Sequence, residues 1–237
     1  MRVIILAAGQ GTRLKPLTNN LPKCLLRLGN KPVLAHQIET LKSVGLFKIS
    51  LVLGYLAEKI KQFLGGNYNY ILNKNYQKTN SLYSLWLARN LLNDELIIMD
   101  SDVLFDKALV KKLISHPAKI CIALNTNWKR EQGYYVATKD NLVINMGVNL
   151  NQNVKGECAG LVKIKKSQVQ KLKVVLNDLI RQNKSHLWFE DALVEMIKRG
   201  VKIKYLDVKD YFWYEFDTKK EWEYAKRLYK KWKSLNK

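Results

Sequence analysis

Residues 1–23 read Met1-Arg-Val-Ile-Ile-Leu-Ala-Ala-Gly-Gln-Gly-Thr-Arg-Leu-Lys-Pro-Leu-Thr-Asn-Asn-Leu-Pro-Lys23. Val3 to Leu6 is a β-branched, apolar run of the kind that fills a buried strand. It ends in Ala7-Ala8-Gly9-Gln10-Gly11-Thr12-Arg13, a turn of small side chains that lets the backbone approach a ligand. Gly9 and Gly11 admit φ angles that other residues avoid. Backbone N–H groups in such a turn can cradle phosphates. Arg13 adds a planar, permanently charged fork, and Lys15 and Lys23 add point charges. The loop lacks the spacing and ending of a P-loop and the third glycine of a dinucleotide fingerprint. Taken alone, it also fits an ordinary tight turn after a first strand.

Working outward, strand-like runs at Val3–Ala7, Ile49–Leu53, Tyr70–Leu72, Leu96–Met99 and Ile120–Leu124 alternate with helical patterns. The helical patterns are Pro32–Val44, Leu56–Phe63, Ser81–Asn90 and Lys107–Ile114. Pro32 suits a first helical turn and Gly45 a helix stop. This alternation predicts an α/β fold, a single doubly wound and mostly parallel sheet. Ligands of such sheets bind at the carboxyl ends of strands, which puts the Gly9–Arg13 loop and the loop after Met99 on one rim. Further on, Gly133–Thr138 and Leu142–Met146 flank Lys139-Asp140-Asn141 as a β-hairpin, and Ala159–Ile164 reads as a strand. Helical patterns follow at Ser167–Arg181 and Phe189–Arg199, then a strand at Lys202–Asp207. No linker, repeat or low-complexity run divides residues 1–237, so a single domain is expected, with a small hairpin lobe continuous with the sheet.

A chain of 237 residues with 47% hydrophobic content can bury a substantial core. No stretch reaches the length of a membrane span, and there is no signal-peptide profile at the start, so a cytoplasmic location is expected. Cys24, Cys121 and Cys158 are odd in number and lack zinc spacing, which suits reduced thiols. The net charge of +21 reads first as a lysine-rich solvated surface. Attraction of anionic substrates, acidic membrane or nucleic acid are its functional readings. The basic segment from Lys219 to Lys237 carries Trp222, Tyr224, Tyr229 and Trp232. It reads as a closing helix that packs these aromatics on the sheet, with a membrane-touching amphipathic helix as the other reading.

Leu96-Ile-Ile-Met99 runs into Asp100-Ser101-Asp102. Two acids so close at a strand end resist joint ionisation in a partly dry site unless a cation neutralises them, and Mg²⁺ takes one or two carboxylates plus substrate phosphates. A solvated turn before a helix cap explains the same string. Glu215 and Asp217 lie two apart, so an extended segment turns both to one side. Glu190-Asp191 opens a helix, where acids favour the N-terminal dipole without any further role.

The N-terminal string as a whole, Leu-Ala-Ala-Gly-x-Gly-Thr-Arg-Leu-x-Pro-Leu-Thr followed by Pro22-Lys23, resembles the signature of nucleotidyltransferases that join a nucleoside triphosphate to a phosphorylated small molecule. The resemblance is dense to about residue 106 and thin from Lys107 to Lys155. It implies the Rossmann-like fold of that family, with residues 1–106 as the nucleotide-binding half and 107–237 as the acceptor-binding half. Leu6, Ala7, Ala8, Gly9, Gly11 and Thr12 then bind nucleotide. Asp102, with Ser101 where glycine is common, aligns with the family's Mg²⁺ aspartate, and Asp100 is a second nearby carboxylate. Trp213-Tyr-Glu-Phe-Asp-Thr218 is similar to the family's late acidic string, which adds Asp217 and Glu215 to the metal set.

Asn73 to Trp86 resembles the bacterial phosphocholine cytidylyltransferases and their relatives. Asn73, Thr79, Asn80 and Ser81 are expected at the edge of a pyrimidine, favouring CTP over dTTP or UTP; Thr79, Asn80 and Ser81 also suit a helix N-cap. Gly156-Glu157 and the Glu190-Asp191 string are similar to acceptor-side segments of the same branch. Trp128, Tyr134, Trp188 and Trp213 are candidates for a cage around a quaternary ammonium. Inositol-1-phosphate, 2-aminoethylphosphonate and other phosphorylated alcohols or amino acids stay open as acceptors. The implied reaction is in-line attack of the acceptor phosphate on the α-phosphorus of CTP, with pyrophosphate leaving. A phosphate monoester is already ionised, so no general base is required, and His36, His116 and His186 have no part. Arg13 faces the pyrophosphate, Lys23 bridges the reacting phosphates, and Asp102 holds the metal. The expected partners are CTP and the acceptor, with no specific nucleic acid and no integral membrane contact; monomer and homodimer are both open. Two rivals remain: a sugar-1-phosphate transferase using dTTP or UTP, and a non-catalytic basic module for nucleic acid or membrane on the same fold.

Overall fold

The computed structural model describes residues 1–127 and 133–235. Its strands are β1 (Arg2–Ala7), β2 (Arg27–Leu28), β3 (Lys31–Pro32), β4 (Ile49–Leu53), β5 (Asn69–Leu72), β6 (Leu96–Asp100), β7 (Val103–Phe105), β8 (Ile120–Asn125), β9 (Tyr135–Lys139), β10 (Leu142–Gly147), β11 (Val154–Ile164), β12 (Lys204–Asp207) and β13 (Trp213–Glu215). Its α-helices are α1 (Val33–Ser43), α2 (Ala57–Leu64), α3 (Ser81–Leu87), α4 (Lys107–Ser115), α5 (Lys166–Arg181), α6 (Phe189–Lys198) and α7 (Lys219–Leu235).

Among the described residues one sheet runs β10-β9-β11-β6-β1-β4-β5, with β8 beside β11 and β12 beside β8. Strands β6, β1, β4 and β5 are parallel. Period-2 alternation in β1 sends Ile4 and Leu6 into a core covered by α3, α5 and α6, while Val3, Ile5 and Ala7 face α1, α2 and α4. Both faces are therefore covered, as a doubly wound sheet requires. Strand β11 is antiparallel to β6, β8 and β9. Its pairing with β8 slips between Cys158 and Val162, around Gly160 at φ +66°. A Cβ at Gly160 would lie 2.8 Å from Val103 Cγ2 and 3.1 Å from Asp100 Oδ2, so glycine lets the strand bend past Asp100.

Of the departures from the sequence expectation, two concern the C-terminal segment. Residues 103–105 and 213–215, not expected as strands, pair antiparallel as β7 and β13. Helix α7 does not pack its aromatics on the main sheet. Trp222 lies against Phe216 at 4.6 Å between ring centroids, Trp232 stacks on Phe212 at 4.6 Å, and Tyr224 tilts on Tyr214 at 5.2 Å. The main sheet's faces are already filled by six helices, so α7 closes a third cluster with Leu14, Leu26, Leu28 and Leu104. No helix among the described residues is long and apolar enough to cross a membrane.

Cys24, Cys121 and Cys158 are all buried and unbridged. Burial pushes the Cys24 and Cys121 thiols up to about 12 and raises Cys158 as well. A raised thiol pKa leaves little thiolate at neutral pH, and the thiolate is the nucleophile. The native protein is therefore expected to resist iodoacetamide near pH 8 and to take up three equivalents in denaturant; rapid native-state labelling, followed by mass spectrometry, would contradict this packing.

Candidate active site

The parallel register sets Leu6 opposite Asp100, so the loops after β1 and β6 leave the sheet side by side. Gly11, at φ +61°, turns the first loop into a 3-10 turn at Thr12–Leu14. A Cβ there would stand 3.2 Å from both Lys23 Cβ and Thr18 Cγ2. Thr18 Oγ1 donates to Gly11 O at 2.8 Å, and Tyr55 Oη donates to Thr18 O at 2.8 Å. The loop is thus tied down over Lys23. Gln37 Nε2 donates to Asp100 O and Val103 O, at 3.0 and 2.7 Å, which fixes the second loop from α1.

Pairing of Glu215 with Val103 carries the segment after β13 to this rim. The N–H groups of Asp217 and Thr218 each donate to Glu221 Oε2 at 2.8 Å, and Glu221 N donates to Thr218 Oγ1 at 3.3 Å. Thr218-x-x-Glu221 is a capping box, and through it the start of α7 orients Asp217. The sequence reading missed Glu221, Gln37 and Tyr55; only Glu221 carried a signal, the Thr-x-x-Glu spacing.

At the centre Lys23 Nζ donates to Asp102 Oδ2 at 2.5 Å and to Asp217 Oδ1 at 2.6 Å. Arg13 Nη2 lies 3.0 Å from Asp217 Oδ2. Burial works against the Lys23 charge, but Asp102, Asp217 and Glu215 outweigh it and raise its pKa. Asp102, Glu215 and Asp217 bring one carboxylate oxygen each to within 4.8 Å of one another. Asp102 Oδ1 is buried with no hydrogen-bond partner. Two Mg–O bonds of about 2.1 Å span roughly that separation, so these hard oxygen donors fit a divalent cation. Asp100 stands outside this oxygen set. Burial first, then Glu190, Asp102 and Glu215, hold its carboxyl well above the usual range.

Two adjoining cavities open here. The smaller, about 330 Å³, is lined by Leu6, Ala8, Gly9, Gly11, Thr12, Lys23, Asn73, Thr79, Asn80 and Ser81, with Tyr76 and Ser84 added to the expected set. Ala7 faces the opposite core. Asn73 differs from its expected place at a base edge. It is almost fully buried, with Nδ2 donating to Thr79 Oγ1 and Ser84 Oγ and Oδ1 accepting from Asn75 N. Its amide organises the loop. Asn80 Oδ1 caps α3 by accepting from Ser81 N, and Ser81 Oγ accepts from Phe189 N, both at 2.8 Å.

The larger cavity, about 480 Å³, is lined by Tyr134, Glu157, Trp188 and Glu190, and shares Arg13, Asp100, Trp188, Glu215 and Asp217 with the smaller. A Cβ at Gly133 would fall 2.5 Å from Glu157 Oε1. Trp213 is not on this wall; its Nε1 donates to Ala159 O. Trp128 lies outside the described residues.

The model of the nucleotidyl transferase family matches residues 2–147. Among curated proteins, the chain is 35% identical over 137 residues to the CTP:phosphoglutamine cytidylyltransferase of Campylobacter jejuni, covering 54% of each. It is 26% identical over 231 residues to the CMP-5'-(3-aminopropyl)phosphonate synthase of Streptomyces rubellomurinus, covering 92% of this chain and 37% of that one. The chain thus spans about half or less of the length of these relatives. Among solved structures, the CTP:phosphocholine cytidylyltransferase of Streptococcus pneumoniae superposes with a TM-score of 0.78 at 24% identity, covering 96% of this chain and 98% of that one. At that identity the likeness speaks for the fold.

Proposed function

Because the chain belongs to the nucleotidyl transferase family, we propose that it transfers CMP from CTP to a phosphorylated small molecule and releases pyrophosphate. The observation that carries this is the meeting of Arg13, Lys23, Asp102, Glu215 and Asp217 where the two cavities join. A donor triphosphate in the smaller cavity and an acceptor phosphate in the larger would face each other across this cluster. CTP as donor is supported by the two curated relatives described above, which are named for CTP or CMP. Asn80 lines the smaller cavity, and its Nδ2 donates to no other described residue, so it suits a carbonyl acceptor on a pyrimidine.

Asp102, Glu215 and Asp217 would hold Mg²⁺. When bound, it would neutralise charge on the α-phosphate and favour in-line displacement. This chain's own residues supply the rest. Lys23 places an ammonium between the reacting phosphates, Arg13 holds the outgoing pyrophosphate oxygens, and the Gly9–Thr12 backbone positions the triphosphate. Catalysis then rests on positioning and preorganised charge. The acceptor phosphate is its own nucleophile, so no side chain need take a proton.

The test is pyrophosphate release with Mg²⁺, with CTP, UTP, dTTP, ATP and GTP each set against phosphorylated alcohols, amines, amino acids and sugars. Turnover confined to CTP and a non-sugar phosphate is expected. Turnover with dTTP or UTP and a hexose-1-phosphate would overturn the assignment of donor and acceptor. Binding to random DNA or anionic vesicles without turnover would overturn the enzyme.

A further inference from the structure

Helix α7 has one side that packing uses and one that it does not. Trp222 and Ala225 are buried on the inner side, and Trp222, Tyr229 and Trp232 lie against Phe216, His36 and Phe212 respectively. On the outer side Lys220, Tyr224, Arg227, Lys231 and Leu235 follow at steps of four, three, four and four residues, so they form one stripe. All five are exposed, Tyr224 by 47% and Leu235 by 75%. At about 1.5 Å per residue the stripe is about 22 Å long. Lys219, Lys226, Lys230 and Lys233 are exposed beside it. The acids of the helix stand near its start, where Glu221 caps the first turn and Glu223 pairs with Lys226 at 2.7 Å. After Glu223 the sequence carries no acid.

We infer that the outer face of α7 rests on a lipid surface rich in anionic headgroups. Roughly four to eight basic side chains on one helix are enough for the negative potential of such a surface to hold them. Tyr224 and Leu235 add the apolar contact that suits the headgroup boundary. The inner side of the helix belongs to the protein, and no helix among the described residues can cross a membrane, so the contact is peripheral. It uses none of the side chains at the carboxylate cluster. The seating of α7 argues against a nucleic-acid groove, which a helix reads by entering it. Here the helix is fixed along its inner side from Trp222 to Trp232. Its composition argues the same way. Arg227 is its one arginine among six lysines, and lysine is a compact point charge, whereas arginine is the fork that grips a phosphate bidentately. A second copy of the chain would bring another +21 to a face that is itself basic, and like charges of that size repel.

The experiment is co-sedimentation of the full chain with vesicles of phosphatidylcholine, alone or with about one-third phosphatidylserine, at a Debye length of about 10 Å. The protein should bind the mixed vesicles about tenfold or more tighter than phosphatidylcholine alone, and less tightly as salt is raised. Arg227→Glu combined with Lys231→Glu should weaken binding to the mixed vesicles by about tenfold or more. Lys166→Glu combined with Lys171→Glu, both exposed on α5, changes the net charge equally and should keep binding within about threefold of the wild type. A melting curve accompanies each variant, and Arg227→Gln with Lys231→Gln replaces the charge reversal if that unfolds early. No binding to the mixed vesicles overturns the inference, as does equal binding to both kinds of vesicle. An equal loss in the α5 variant overturns it too, because net charge alone would then explain the binding. So does release of the protein from the mixed vesicles by random-sequence duplex DNA at equal phosphate concentration, which would assign the basic surface to nucleic acid.

Discussion

Replacing Lys23 by alanine is expected to lower kcat by a hundredfold to a thousandfold, about 2.7–4 kcal/mol of lost transition-state stabilisation. The ammonium is almost fully buried and held between two carboxylates, so nothing mobile can take its place. The same change should destabilise the fold without metal. It removes the cation shared by Asp102 and Asp217 and leaves Arg13 to hold Asp217. Breaking a fully buried pair costs roughly 3–5 kcal/mol. These side chains are 19% and 17% exposed, so a smaller loss is expected. Since Lys23 occupies the carboxylates that a divalent cation needs, K23A should also gain more in melting temperature from added Mg²⁺ than the wild type does. Steady-state kinetics and thermal melts with and without Mg²⁺ check both halves. Near-normal turnover, or a wild-type response to Mg²⁺, would displace Lys23 from the centre.

Asp102→Asn is expected to lose about as much activity with far less effect on stability. Lys23 keeps Asp217 as a partner, and asparagine matches the volume. What disappears is the anionic ligand. Asp102 Oδ1, buried with no partner, is the atom whose environment makes sense once a cation is near. The variant should lose the rise in melting temperature that Mg²⁺ gives the wild type, and excess Mg²⁺ should not restore its rate. If D102N turned over normally in excess Mg²⁺, the metal would have to be sought elsewhere.

The fold was legible because local pattern and global architecture agree. Strand β4 coincides with its apolar run, Ile49–Leu53, and β1, β6 and β8 differ by a residue. Both faces of the central strands are buried, so they read as continuous apolar runs. Strands β7 and β13 were not legible, because three residues pairing across the chain leave no period to count. Of the site, Arg13, Lys23, Asp102 and Asp217 were singled out because they sit in strings that resemble the family's, and the fold brings the four together. Asn73 shows the limit: an amide suits a base or a neighbouring hydroxyl equally, and only the fold shows that Thr79 and Ser84 take it. The packing of α7 was misplaced for a related reason. An amphipathic pattern shows that a face is buried, and not which surface receives it.

Lys23 and Asp217 are separated by 194 residues, and Asp217 is oriented by the capping box that starts α7. A chain emerging from the ribosome therefore presents its Gly9–Arg13 loop long before it owns a complete set of carboxylates. Until α7 docks, such a chain has Arg13, Lys23 and Asp102 but lacks the oriented carboxylate of Asp217. The charged cluster is thus a property of the finished fold, and loosening the start of α7 alone would be enough to release Asp217 from it.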